Sequence, residues 1–200
     1  MILPLMVNMP NIEVLVVGGG EVATRRIKKL LNSSSTLIHV VSPSITSKLE
    51  TLVKTYDLKW SKRPFEDQDI EGVQLVIAAT NDAQLHKHIQ SLIPKHMLFN
   101  DVIHHENSNV YFAQTVHRGK LSIHISTSGA SPKLTRKIAK DIGNIYDERY
   151  ENYIDFLYES RKLILKKAIT PEDKAHYLET LLDSKFLNVV EQDNFLKMLC

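Results

Sequence analysis

The sequence predicts an α/β fold: a parallel sheet flanked by helices, then a hairpin-containing region and a small C-terminal helical domain. Three observations carry this. Val14-Leu15-Val16-Val17 is a short, mostly β-branched run suited to a strand buried on both faces, and a glycine turn and a helical pattern follow it at once. Strand-like and helix-like segments then alternate as far as Ile103. Beyond residue 110 the alternation stops, giving way to two adjacent strand-like runs and then only helical periodicity.

The glycine turn is Gly18-Gly19-Gly20, and Val22 to Leu31 reads as the helix, with apolar positions 23, 27, 30 and 31. Strand, glycine turn and helix are the setting a Rossmann-type dinucleotide fingerprint requires. Gly18 permits the tight turn, Gly20 lets a pyrophosphate approach the backbone, and Ala23 allows close packing of helix on strand. The helix start at Glu21, Val22 and Ala23 offers unpaired N–H groups and a positive dipole end to phosphates.

Asn32-Ser33-Ser34-Ser35 breaks the helix, and Leu37 to Val41 is the second strand, closed by Ser42-Pro43-Ser44. An Asp or Glu that would hold the adenosine ribose is expected in this region, but only serines stand there. Their hydroxyls can bond a ribose or cap the next helix. With no Arg or Lys to meet a 2′-phosphate, the cofactor expected is NAD rather than NADP. A helix over 45–56, a short strand over 58–60 and a strong strand over 74–82 follow. The last ends in Thr80-Asn81-Asp82, where an open α/β sheet places ligands, so Thr80 and Asn81 are candidate cofactor neighbours or caps of the helix over 84–93. A fifth strand and its exit occupy 97–103.

Residues 110–116 and 121–126, joined by His117-Arg118-Gly119-Lys120, carry a hairpin signal. A two-stranded hairpin is marginal alone, so it must extend a sheet or pair with another subunit, and a two-fold homodimer is favoured. Ser131-Pro132 caps a long amphipathic pattern running from Leu134 to Leu157, and Thr170-Pro171-Glu172-Asp173 starts another helix. The expected divisions are an NAD-binding domain at 1–113, a dimerisation region at 114–147 and a helical domain at 148–200. Lys+Arg and Asp+Glu nearly balance, 25 against 23, which gives no argument for nucleic acid. The apolar start, 1–7, is short and lacks a basic flank, and no stretch spans a bilayer. The one cysteine, Cys200, precludes an internal disulfide framework. A soluble, cytoplasmic protein with no membrane partner is expected. His86-x-His88, His104-His105, His117 and His124 are too scattered for a structural zinc motif, so no metal site is expected.

An ordered set of motifs carries a more specific reading. It comprises Leu3-Pro4-Leu5, Gly-Gly-Gly-x-Val-Ala-x-Arg at 18–25, Val41-Ser42-Pro43, Ala78-Ala79-Thr80-Asn81, Asn100, and Ser126-Thr127 with Gly129 and Ser131-Pro132. Together these resemble the precorrin-2 dehydrogenase family, the dehydrogenase/ferrochelatase part of siroheme synthase, over nearly the whole chain. The length leaves no room for the methyltransferase module some members carry, so the stand-alone form is expected. The resemblance implies NAD-dependent oxidation of precorrin-2 to sirohydrochlorin, sometimes followed by iron insertion. It also implies a Rossmann domain, an interlocking dimerisation region and a helical domain, with the tetrapyrrole substrate in a cleft between domains. The substrate's eight carboxylates would give Arg118, Lys120, Lys133, Arg136 and Lys137 a role. Thr127 falls where some members place a serine near the substrate, and Ser128 stands where the family has glycine; both are substrate-site candidates.

The family's acid/base Asp, counted from Asn100, falls on Ile103, which cannot move a proton. Asp101 shares a strand face with that position and is the first candidate for the role. The second is His104, whose side-chain type titrates near neutrality. Proton transfer to water is the third course. Two other functions stay open on this ground: a sirohydrochlorin metal chelatase without dehydrogenase activity, and a dinucleotide-sensing regulatory protein.

Overall fold

The computed structural model describes residues 2–33, 35 and 37–199; Met1, Thr36, Cys200 and Ser34 of the expected 32–35 break lie outside the described residues. The chain forms two compact units, residues 1–111 and 112–200. The expected dimerisation region and helical domain both fall in the second.

In the first unit, β1 (Val14–Val17), β2 (Ile38–Val41), β3 (Lys59–Ser61), β4 (Leu75–Ala78) and β5 (Leu98–Asp101) form one parallel sheet in the order β3-β2-β1-β4-β5. All four residues of β1 and of β4 are buried, as the unbroken apolar runs require. Helices α1 (Glu21–Leu31), α2 (Ser47–Thr55) and α3 (Ala83–Leu92) are the crossovers. Ala23, Ile27 and Leu30 form the buried stripe of α1, at the spacing the sequence shows. Leu15, Val17, Val76, Ile89 and Phe99 anchor the core, each contributing about 1.5–3 kcal/mol on full burial. The edge strand β5 is closed by the chain running back along it. Asn109 accepts from the Phe99 N–H and donates to the Met97 carbonyl, and Asn100 donates to the Val110 carbonyl. The strand order reverses between β1 and β4, so the carboxyl ends of these two strands open the crevice where such sheets take ligands.

In the second unit, β6 (Gln114–Arg118) and β7 (Leu121–Ile125) form the hairpin. Its turn is shorter than expected. Arg118 pairs with Leu121, leaving only Gly119-Lys120 between them, with Gly119 at φ 55° as a type II′ turn demands of its first residue. The long amphipathic pattern is two helices, α4 (Pro132–Ile145) and α5 (Arg149–Lys166). Tyr146 leaves helical geometry, and the Asp147 carboxylate accepts from the Arg149 N–H to start the next helix. Apolar spacing continues through this break, so periodicity alone does not reveal it. Helices α6 (Pro171–Thr180) and α7 (Val189–Leu199) complete an aromatic core with α5, in which Phe156 stacks on Phe186 and Phe195 meets both edge-on. Among the described residues no helix is long and apolar enough to cross a membrane.

Candidate active site

At the carboxyl ends of β1, β2 and β4, Gly18, Gly20, Ser42, Ser44, Thr80 and Asn81 line an open cleft of about 380 Å³. The glycines shape it in three ways. Gly18 lies at φ +122°, and a Cβ there would stand 2.4 Å from the Ala79 carbonyl oxygen, so only glycine lets β4 approach β1. A Cβ on Gly19 would fall 2.0 Å from the Ser44 carbonyl oxygen, so this glycine admits the β2 exit loop. A Cβ on Gly20 would meet nothing within 4 Å. Gly20 caps α1 without a side chain, and the open space before it is the approach a pyrophosphate needs to reach the unpaired N–H groups of the helix. The residues present therefore fit a dinucleotide.

Gly19, Ile45, Thr46 and Ala79 also line the cleft and are absent from the sequence-derived set. Thr46 is central to it: its N–H donates to the Gly19 carbonyl, its hydroxyl bonds Thr24, and that same hydroxyl accepts from Leu49 N–H to cap α2. Helix α2 accordingly begins at Ser47, two residues later than read, and the Thr-Ser pair at 46–47 is the capping signal that marks it. The side chains of Glu21, Val22, Ala23 and Pro43 do not line the cleft. Glu21 points to solvent opposite Lys48 at 3.6 Å, Ala23 is sealed under α1, and Pro43 is exposed. What the first turn of α1 offers a ligand is its backbone N–H groups. Ser42 directs its hydroxyl to the Ser44 carbonyl, while its own carbonyl accepts from Trp60 Nε1, which fixes the β2 exit. The cap of α3 is Asp82, not Thr80 or Asn81, with Thr80 Oγ1 accepting from the Asp82 N–H.

The β5 exit separates the two proton-transfer candidates. Asp101 has 0% side-chain exposure. Its Oδ1 accepts from His86 Nδ1 at 2.6 Å and from the N–H groups of Ile103 and His104, both at 2.8 Å. Burial pushes its pKa upward, but the His104 amide, the His86 ring and the Ile103 amide outweigh this and hold it below the ordinary carboxylate range. These bonds let Asp101 shape the turn from inside. His104 is 32% exposed, with Nδ1 3.6 Å from a Glu106 carboxylate oxygen and Nε2 enclosed without a partner among the described residues. Ile103, at the position counted for the family's Asp, is exposed.

The substrate candidates lie in the second unit. Arg118 is committed within the fold, donating to the carbonyls of Gly143 and His117. The Thr127 hydroxyl accepts from the Ser131 N–H and bonds Thr135, tying the loop to the start of α4. Ser128 sits at φ 49°, the left-handed conformation that explains a glycine preference there. Lys133 and Arg136 are exposed on the first turns of α4. Among the described residues no group of three or more His, Cys, Asp or Glu could hold a metal ion.

Comparison with known proteins agrees along the chain. A family model described as NAD(P)-binding matches residues 5–114, one described as sirohaem biosynthesis protein central matches 118–144, and the SirC C-terminal domain matches 150–195. Precorrin-2 dehydrogenase of Priestia megaterium is 34% identical over 97% of this chain and 96% of its own length. The protein of that name from Bacillus subtilis (strain 168) is 32% identical over 80% of this chain and 98% of its own. A solved structure, SirC, precorrin-2 dehydrogenase, superposes with a TM-score of 0.85 at 33% identity, covering 99% of this chain and 98% of that one. With its glycine cleft, its hairpin and its helical end each matched in order, the chain belongs to the precorrin-2 dehydrogenase family.

Proposed function

We propose that this protein oxidises precorrin-2 to sirohydrochlorin with NAD in siroheme biosynthesis, working as a homodimer in the cytoplasm. The observation that carries the cofactor side is the open space before Gly20 at the start of α1, within a cleft of dinucleotide type. Its lining holds neither Arg nor Lys, which favours NAD over NADP. When bound, the nicotinamide supplies the hydride acceptor. The chain's own part is to orient that ring and to take the accompanying proton.

His104 is the proton acceptor in this reading, since Asp101 is sealed. The His104 side chain is partly exposed, with Nδ1 3.6 Å from a Glu106 carboxylate oxygen, and an imidazole is a side-chain type able to accept the substrate proton. Ser128, Lys133 and Arg136 are the groups with which the second unit meets substrate carboxylates, while Arg118 and Thr127 hold the loop and helix that present them. The homodimer reading is supported by a two-stranded sheet whose Leu121, Ile123 and Ile125 are only partly covered.

An anaerobic assay following NADH and sirohydrochlorin together tests the activity, with equal yields expected. NAD binding without NADH formation would refute it. His104→Gln should cut turnover by about 10²–10⁴ with NAD affinity retained.

A further inference from the structure

His86 has no part in the binding or proton transfer described above, yet it is completely buried, one turn into α3. Each of its ring nitrogens faces an oxygen. Asp101 Oδ1 already accepts from the Ile103 and His104 N–H groups, so toward His86 Nδ1, at 2.6 Å, it is again the acceptor and the ring nitrogen donates. At the other side of the ring, Nε2 faces the Thr80 carbonyl oxygen at 3.1 Å, and a carbonyl can only accept. Both ring nitrogens therefore face acceptor oxygens, and His86 with Asp101 is a hydrogen-bonded pair enclosed in the first unit. His88, two residues on, makes a contrasting contact. It meets the exposed Asp67 at 2.7 Å on the surface, so the two histidines of His86-x-His88 are not a joint ligand set.

The two groups that His86 joins are on different working loops. Thr80 lines the cofactor cleft at the exit of β4. Asp101 grips the backbone of the β5 exit through the N–H of His104 itself. We propose that His86 is a positioning residue of the dehydrogenase, its doubly protonated ring clamping the Thr80 loop to the Asp101 turn and so fixing where His104 stands relative to the nicotinamide. A neutral side chain in its place can donate to one loop or the other but brings no positive charge to pair with the Asp101 carboxylate. The proposal rests on His104 as proton acceptor.

Two measurements test it. In the unsubstituted protein, ¹⁵N NMR of the histidine rings should show one buried ring protonated and hydrogen-bonded at both nitrogens under assay conditions. A His86 ring with one bare nitrogen overturns the clamp, and this result needs no variant to fold. In H86Q, kcat should fall about 10²-fold, the scale for a reacting group displaced by about 1 Å. The KM values for NAD and precorrin-2 should stay within about threefold. A merely structural role would lower the folded fraction and leave kcat per folded molecule unchanged, and that outcome also overturns the proposal. H104Q, assayed in parallel, separates the two readings. Full activity in H104Q removes His104 as acceptor yet leaves the His86 ring signature in place, whereas loss of activity in H104Q with an unaffected H86Q removes only the clamp.

Discussion

The glycine turn after β1 and the exit turn after β5 both lie at carboxyl ends of strands in one sheet, yet they are built by opposite means. The first is made by leaving side chains out. Gly18 and Gly19 let two neighbouring loops close to distances no Cβ would allow, and Gly20 leaves open space for a ligand. The second is made by filling. Asp101, His86 and Ser108 are packed to near-complete burial and hold the turn with side-chain bonds from within. A backbone cradle suits a large, fixed anion that needs N–H groups and room. A filled turn suits a single reacting group that must stand in one place.

Substitutions on the two sides should break that contrast differently. The largest stability effect is expected from Asp101→Ala, which leaves His86 buried without its counter-charge. Loss of one partner from such a pair costs about 3–5 kcal/mol, readable as an early unfolding transition of the first unit in urea. Gly20→Asp should do the reverse, abolishing NAD binding in calorimetry while the fold persists. Its Cβ meets nothing within 4 Å and Asp is a favoured N-cap, but its carboxylate opposes the pyrophosphate. Unchanged NAD affinity in that variant would sink the reading of the cleft.

A pH series sharpens the comparison further. The folded pKa of Asp101 lies below its ordinary value of 3.8, so its stabilisation is fully present above that value and disappears as pH falls through the folded one. The Asp101 contribution to the stability of the first unit should be constant from neutrality to about pH 5 and decline below about pH 4 in thermal melts. Asp69, lowered by its bond to Arg63, contributes in the same direction. Asp101→Asn should therefore make the acid decline shallower without removing it. The smallest effect is expected in the second unit. Ser128→Gly relieves the left-handed strain at φ 49° but adds chain entropy to the unfolded state, so stability should rise by no more than about 1 kcal/mol in a melting experiment.

The cradle was largely legible in the residues because it is a local object. Four apolar residues, three glycines and a helix with Ala23 beneath it occupy one short stretch, and period and turn chemistry suffice to place them. Legibility fails where neighbours in space are distant in sequence. Thr46 bonds Thr24 across 22 residues, and neither residue carries a motif that names the other. Asp101 reads as a base because its type and strand face allow it, but its burial depends on His86, 15 residues earlier on another element. Arg118 likewise reads as a free cation beside a turn until Gly143, 25 residues on, accepts its hydrogen bond.

By itself the sequence determined the strand order's raw material, the cofactor turn and the family, because hydrophobic period, glycine placement and capping residues act over a few positions. Only the tertiary structure decided which polar groups are available to a substrate and which are consumed by the fold. A carboxylate's chemistry follows from its solvent access and its hydrogen-bond partners. Those are properties of packing between segments, and for Asp101 packing gives a sealed carboxylate that holds the backbone of the β5 exit.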